Sequence, residues 1–198
     1  MKYRAVVFDF DGTLLDTLQD LAESVNSVLN RSGFPEHSLE AYRRFVGDGV
    51  EELARRVLPE GHRDEATVTR ILTDVRQEYR QRWPNHTRPY EGIPELLDAL
   101  TARRVKMAIV TNKPDDSTRT MAARMLPRWQ FDVIVGATSD LPRKPDPKGA
   151  LEAARRLRLP PVAILYVGDS DIAMKTANAA GMYPVGVLLG FRPADELV

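Results

Sequence analysis

Five short runs of mostly apolar residues predict the strands of a sheet. Residues 5–8 run directly into Asp9, and residues 163–167 run into Gly168 and Asp169. Unbroken apolar runs of this length are typical of strands buried on both faces, as in a parallel sheet that is covered by helices. The further runs that suit strands lie at residues 105–110, 131–135 and 183–188.

Helical patterns lie between these strands. Pro94 suits the first turn of a helix, and residues 115–125 have helical character. Two more helices are predicted, one after Pro147 and one that follows Asp169 and stops at Gly181. Alternation of strands and helices indicates an α/β fold with a doubly wound, Rossmann-like parallel sheet.

Residues 16–89 break this alternation. Apolar residues with helical spacing recur there in three groups: Leu18, Leu21, Val25, Val28 and Leu29; Val50, Leu53, Ala54 and Val57; and Val68, Ile71, Leu72, Val75 and Tyr79. Gly33 is placed to end the first of these helices. We therefore predict an all-helical insert at residues 16–89, entered just after the first strand, and an α/β core of residues 1–15 and 90–198.

Two carboxylates follow the first strand, in the sequence Asp9-Phe10-Asp11-Gly12-Thr13. Ligands of open α/β sheets bind beyond the carboxyl ends of the strands, so both carboxylates can face that crevice. Close like charges are costly unless a cation or a proton offsets them. The pair permits one nucleophile and one general acid/base, with a metal ion to hold the site together. An isolated pair would be better explained as an acidic turn that caps a helix.

Three other segments place polar groups near the same edge. Thr111-Asn112 follows a strand, Lys144 lies on a loop before a helix, and Asp169 ends another strand. Taken singly, these could be a turn, a solvated charge and a helix N-cap. Together with the first loop they supply a nucleophile, a proton donor, a phosphate-binding hydroxyl and amide, a cation and a metal ligand.

These motifs, in this order, resemble those of the haloacid dehalogenase-like hydrolase superfamily. The D-x-D-G-T loop, the strand-end Thr111, the Lys-Pro-Asp-Pro segment at 144–147 and the Gly-Asp-Ser segment at 168–170 carry the resemblance. It covers essentially the whole chain, and the helical insert corresponds to the family's cap. Within the superfamily the chain is most similar to the phosphoglycolate phosphatase branch, partly through Phe-Val-Gly-Asp-Gly at 45–49.

The resemblance implies a reaction and a metal. Asp9 would attack phosphorus, and Asp11 would protonate the leaving oxygen and then deprotonate the water that cleaves the aspartyl-phosphate. Lys144 would offset the charge around Asp9 and the phosphate. Mg²⁺ would be held by Asp9, the Asp11 carbonyl and Asp169, an oxygen-only set of the kind that magnesium prefers.

The resemblance also implies how the substrate is held. Thr111, Asn112 and the backbone amide of Gly12 would bind the phosphoryl oxygens. We also expect the cap to contribute substrate specificity, because a helical insert beside the first loop can close over it. Residues 44–49 are expected to face the cleft, and the candidate recognition segment consists of Arg44, Val46, Gly47 and Asp48.

Composition adds few constraints. The chain has 198 residues, 28 basic and 28 acidic side chains and no Cys. No global charge favours nucleic acid or a membrane, and disulfides, thiolate nucleophiles and Cys-ligated zinc are excluded. The apolar run before Asp9 is too short for a signal sequence. We expect a cytoplasmic protein whose partner is a small phosphate ester; the sequence does not determine its oligomeric state.

One position departs from the family pattern. The family usually has a second acidic residue four positions after the one at Asp169, and this chain has Ala173. We therefore expect a weakened magnesium site that still binds metal and substrate. A phosphomutase or a dehalogenase on the same fold, or a catalytically weakened protein that binds a phosphate ligand or a partner, are the alternatives.

Overall fold

The protein consists of two compact units in a computed structural model that describes residues 2–197. One unit is formed by the chain up to Leu15 and from Pro89 onward, and the other is Asp16–Arg88. The insert was expected to end at residue 89, and the smaller unit ends one residue earlier, at Arg88.

The larger unit is built on a parallel sheet. Its strands are β1 (Ala5–Phe8), β4 (Lys106–Pro114), β5 (Val133–Ala137), β6 (Ile164–Gly168) and β7 (Tyr183–Gly186). They are ordered β5-β4-β1-β6-β7, and every pairing is parallel. Two short strands, β2 (Leu15–Asp16) and β3 (Arg88–Pro89), form a separate sheet.

Strand β1 lies at the centre of the sheet, and its register determines where the polar residues meet. Phe8, its last residue, pairs with Ile109 of β4 on one side and with Val167 of β6 on the other. Residues that follow Phe8, Val110 and Val167 therefore emerge at one edge of the sheet. The apolar character of these strands, which are almost completely buried, is what places them in the interior.

Four helices cover this sheet: α5 (Ile93–Ala102), α6 (Asp115–Met125), α7 (Lys148–Leu157) and α8 (Asp171–Ala179). Small residues let α7 and α8 pack closely against the strands, because Ala150, Ala153, Ala154, Ala173 and Ala177 are all buried in one core cluster with strand residues. The predicted α/β fold class is confirmed. The predicted helix at 115–125 coincides with α6.

The smaller unit contains α1 (Leu18–Arg31), α2 (Leu39–Phe45), α3 (Val50–Val57) and α4 (Glu65–Arg82). Helix α1 packs against α4 through its apolar face, which includes the buried Val25, Val28 and Leu29. Helix α2 was not predicted; the Ser38 hydroxyl caps it by accepting a hydrogen bond from the Ala41 N–H. In residues 2–197, no helix has the length and apolar character that a membrane crossing needs.

Several strand boundaries differ from those predicted. Strand β4 continues beyond residue 110 to Pro114, with an irregularity in its pairing to β5. Strand β5 begins two residues later than predicted, and β7 ends at Gly186. The extension of β4 places Thr111, Asn112 and Lys113 within the strand rather than after it, because pairing with β5 resumes at Pro114, beyond the end of the apolar pattern.

Candidate active site

The Asp9 carboxylate is held directly beyond β1. Its backbone N–H continues the sheet by donating to the Val167 carbonyl at 2.8 Å. Asp9 Oδ1 accepts the Phe10 N–H at 2.7 Å, and Oδ2 accepts a hydrogen bond from Lys144 Nζ at 2.5 Å. Both side chains are buried. The two charges compensate each other, because an isolated buried charge would be very costly.

Asn112 fixes the segment that carries Lys144. The Lys144 N–H donates to Asn112 Oδ1 at 2.8 Å, and Asn112 Nδ2 donates to the Lys144 carbonyl at 3.2 Å. This reciprocal pair ties the loop before α7 to the end of β4. Asn112 therefore positions the cation of the site; contact between Asn112 and a phosphate stays a prediction.

Asp11 is paired with a lysine that the sequence analysis did not identify. Lys113 Nζ lies 3.1 Å from Asp11 Oδ1 and 3.2 Å from Oδ2. The Lys113 N–H donates to Thr111 Oγ1 at 3.2 Å. The one sequence feature that could have identified Lys113 is its position directly after Thr111-Asn112. The direction of its side chain, toward the first loop, follows from the extension of β4 and could not be predicted from that position.

Asp169 brings a third carboxylate to the same edge. Its Oδ1 accepts the Thr13 hydroxyl at 3.3 Å, and its Oδ2 accepts the Phe191 N–H at 2.9 Å. Burial and the negative charge of Asp9 raise the pKa of Asp169 to about 6, although the Phe191 N–H and Lys144 act in the opposite direction. The involvement of Phe191 was not predicted, since nothing in the local sequence relates it to Asp169.

Gly12 allows the first loop to approach Asp169. Its φ is +79°, and a Cβ at this position would lie 2.2 Å from Asp169 Oδ2. A side chain at position 12 would therefore collide with the carboxylate. The Gly12 N–H donates to the Leu15 carbonyl at 3.0 Å, so it shapes the loop; its proposed contact with phosphate is untested.

The oxygen donors of this edge fit a magnesium ion. Asp9 and Asp169 follow neighbouring strands and provide only hard oxygen ligands. The pKa of Asp169 is raised first by burial and then by the negative charge of Asp9, so an ionised Asp169 beside Asp9 is costly without a further positive charge. A cation would supply that charge, with Asp9, Asp169 and the Asp11 carbonyl as its candidate protein ligands.

Ala173 lies close beneath this edge. It has no exposed surface, and its N–H donates to the Ser170 hydroxyl that caps α8. A Cβ built on Gly168 would lie 2.3 Å from the Cβ of Ala173 and 3.7 Å from the Cβ of Asp9. The nearby Asp171 does not replace the absent acid, because its carboxylate is paired with Lys175 at 2.7 Å.

The candidate recognition segment, 44–48, joins α2 to α3 within the smaller unit. Arg44 is exposed, and Val46 ends α2 by donating its N–H to the Tyr42 carbonyl. The Asp48 carboxylate forms an ion pair of 2.5 Å with Arg56 of α3. The segment is thus anchored within its own unit, and its role in specificity stays a prediction.

A second group of possible metal ligands occurs in the smaller unit. Asp20, Glu23 and His86 are the three residues whose ligand atoms lie close together among the residues that the structure describes. The buried Asp20 carboxylate already accepts the N–H groups of His86 and Thr87 and the Thr87 hydroxyl. We therefore assign Asp20 to structure rather than to magnesium.

Comparison with known proteins gives consistent matches over the full length. A family model described as haloacid dehalogenase-like hydrolase matches residues 6–187. The phosphoglycolate phosphatase of Nitrosospira multiformis is 36% identical over 202 residues, covering 100% of this chain and 88% of that protein. That of Aquifex aeolicus is 30% identical over 188 residues, covering 95% of this chain and 86% of that protein.

Solved structures agree at the level of the fold. A crystal structure from Lactobacillus delbrueckii subsp. bulgaricus, provisionally described as a phosphoglycolate phosphatase, superposes with a TM-score of 0.93 at 30% identity, covering 100% of this chain and 91% of that one. CbbY from Rhodobacter sphaeroides, solved in complex with phosphate, superposes with a TM-score of 0.84 at 20% identity, covering 99% and 91%. This second likeness concerns the fold alone.

Proposed function

The chain belongs to the haloacid dehalogenase-like hydrolase family as a phosphatase, and we propose that it hydrolyses a small phosphomonoester with magnesium, through an aspartyl-phosphate on Asp9. The observation that carries the proposal is the Asp9–Lys144 pair, which lies beside Asp169. Asp11 follows Asp9 by two positions in the sequence. A nucleophile, a charge-compensating cation and a candidate acid thus lie at one edge of the sheet.

Asp9 and Asp11 divide the proposed chemistry. An Asp9 oxygen forms a bond to phosphorus while the bond from phosphorus to the ester oxygen breaks. The departing oxygen takes a proton from the Asp11 carboxyl. Water then attacks the aspartyl-phosphate, its proton passes to Asp11, and phosphate leaves with the Asp9 carboxylate restored.

Other residues of the site bind and orient. Lys144 compensates negative charge at Asp9 and at the phosphoryl group. Because Thr111 Oγ1 accepts the Lys113 N–H, its own hydroxyl proton can be donated to a phosphoryl oxygen. Gly12 and Asn112 are proposed as further phosphate contacts.

Magnesium is the proposed cofactor. Asp9, Asp169 and the Asp11 carbonyl would hold it, and when bound it supplies positive charge that orients and stabilises the phosphoryl oxygens. Among these three residues, Asp169 would act only as a metal ligand, because Asp9 would also attack phosphorus and Asp11 would also transfer protons.

The proposed substrate is a phosphoglycolate-like ester, supported by the names of the relatives that match nearly all of this chain. We also propose that the helical unit reads the leaving group through the segment 44–48. A cytoplasmic location is proposed because the absence of Cys fits a reducing compartment.

The test is phosphate release from p-nitrophenyl phosphate and from a panel of metabolite esters that includes 2-phosphoglycolate, with magnesium and after chelation. The wild type should turn over only with magnesium and form a covalent phosphoenzyme that mass spectrometry detects. Asp9→Asn should remove both turnover and the phosphoenzyme.

Two variants complete this experiment. Asp11→Asn should slow turnover strongly, while Asp171→Asn, a matched control whose carboxylate pairs with Lys175, should not. Wild-type activity in Asp9→Asn would show that the covalent mechanism is wrong. Phosphate binding without any turnover would instead favour a weakened binding protein.

A further inference from the structure

Lys113 presents a nearly buried ammonium group to Asp11. Its side chain is 8% exposed and that of Asp11 is 20% exposed. The ammonium lies within hydrogen-bond distance of both carboxylate oxygens, at 3.1 and 3.2 Å. A lysine in this environment is unusual, because desolvating its charge is costly without a close counter-charge.

The backbone around Lys113 is anchored on both sides. Its N–H donates to Thr111 Oγ1 at 3.2 Å, and its carbonyl accepts the hydroxyl of Thr118 at 3.4 Å. Thr118 is fully buried in α6. These contacts direct the lysine from β4 toward the first loop and reduce the entropy lost when its ammonium binds an anion.

The two lysines of the site have separate positions. Lys144 reaches Asp9, the proposed nucleophile, whereas Lys113 reaches Asp11, the proposed acid. The acid must contact the ester oxygen that departs. Atoms bonded to that oxygen therefore lie near Asp11, and Lys113 is the cation beside them.

We infer that Lys113 is a specificity-determining residue that binds a carboxylate on the leaving group of the substrate. This inference rests on the proposed phosphatase function and assigns a residue of the larger unit to leaving-group recognition. An ammonium group has three N–H donors. Lys113 can therefore bind a substrate carboxylate while it keeps its contact with Asp11, or bind it in place of Asp11. A leaving group without charge can offer the ammonium a hydrogen-bond acceptor but no counter-charge.

The experiment compares two substrates of nearly the same size, one with this charge and one without it. 2-Phosphoglycolate carries a carboxylate, and its amide, 2-phosphoglycolamide, has nearly the same shape. We measure kcat/KM for both esters with the wild type, Lys113→Met and Lys113→Arg, each with saturating magnesium. Lys175→Met is the matched control, because Lys175 also pairs with an aspartate but lies exposed on α8.

The wild type should prefer the carboxylate ester, and Lys113→Met should reduce the preference by roughly tenfold or more, the loss expected for one charge-assisted hydrogen bond. Lys113→Arg should restore part of the preference, and Lys175→Met should leave it unchanged. A merely structural role for Lys113 would lower both rates together and leave their ratio constant.

Two outcomes would overturn the inference. One is an equal ratio in wild type and Lys113→Met; the other is a wild type that prefers the amide. Failure of the proposed function is distinguishable, because it would appear as no phosphate release from either ester or from p-nitrophenyl phosphate.

Discussion

The Asp9 carboxylate and the Lys144 ammonium form a buried pair at 2.5 Å, although 135 positions separate them in the chain. Strand β1 places Asp9 at the centre of the sheet, and Asn112 holds the backbone of Lys144 from the end of β4. The pair therefore depends on three separate segments, and it compensates the charge of the proposed nucleophile before any phosphate binds.

Lys144→Met should leave Asp9 buried without its counter-charge. Removing one partner of such a pair costs roughly 3 kcal/mol or more of unfolding free energy. Phosphate release should fall roughly a hundredfold or more, as expected when a preorganised electrostatic group is removed. Urea unfolding and steady-state kinetics measure the two effects. The double variant Asp9→Asn with Lys144→Met should regain part of the stability and none of the activity; an additive double variant would contradict the pairing.

Gly12→Ala should damage the site through Asp169. The new Cβ would lie 2.2 Å from Asp169 Oδ2, so the carboxylate or the loop must move. Magnesium affinity, measured by calorimetry, and kcat should both decrease. Gly33→Ala is the control, because Gly33 has a similar φ of +75° but no atom within 4 Å of the new Cβ. Both variants should lose stability, and unchanged magnesium binding in Gly12→Ala would argue against the proposed ligand role of Asp169.

Ala173→Asp should strengthen the magnesium site. The position is buried beneath Gly168 and near Asp9, so a carboxylate there can accept hydrogen bonds from metal-bound water or from Lys144. We expect a higher kcat, a lower magnesium concentration for half-maximal rate, or both, together with a lower melting temperature. Ala173→Asn controls for size. If neither kinetic quantity changes in the aspartate variant, position 173 has no role in the site.

The segment 44–48 should influence substrate preference. Asp48→Asn keeps the size of the side chain and removes its ion pair with Arg56. This change should alter relative rates across the ester panel more than the rate for p-nitrophenyl phosphate. Glu52→Gln is a close control, since Glu52 pairs with the same arginine at 3.2 Å but lies outside the segment. Equal effects on all substrates would count against a recognition role.

Asp20→Ala should destabilise the helical unit. Its buried carboxylate accepts three N–H or O–H groups from His86 and Thr87, and the variant leaves these donors without that partner. The expected loss is roughly 3 kcal/mol or more, since each unsatisfied buried group costs about 1–3 kcal/mol. Asp64→Ala, which removes an exposed cap of α4, should cost clearly less in the same urea titration. Similar losses would show that the buried bonds of Asp20 add little.

Local sequence patterns were sufficient to predict a strand or helix whose own residues show a clear apolar pattern. The apolar runs before Asp9 and Asp169 predicted β1 and β6, and the helical character of residues 115–125 predicted α6 with its observed bounds. Helix α2 was not predicted because its seven residues make only about two turns, too few for an apolar period to repeat. Tertiary packing of Tyr42 stabilises it instead.

By itself the sequence determined the fold class and family of this protein and the residue types available for its chemistry, because hydrophobic periodicity and motif order are written along the chain. Only the tertiary structure decided which of those residues meet. The pairing of Lys113 with Asp11 and the bond from Phe191 to Asp169 join residues 102 and 22 positions apart. Such contacts depend on strand register and loop direction, which result from the packing of the whole unit and leave no periodic trace in the segments that they connect.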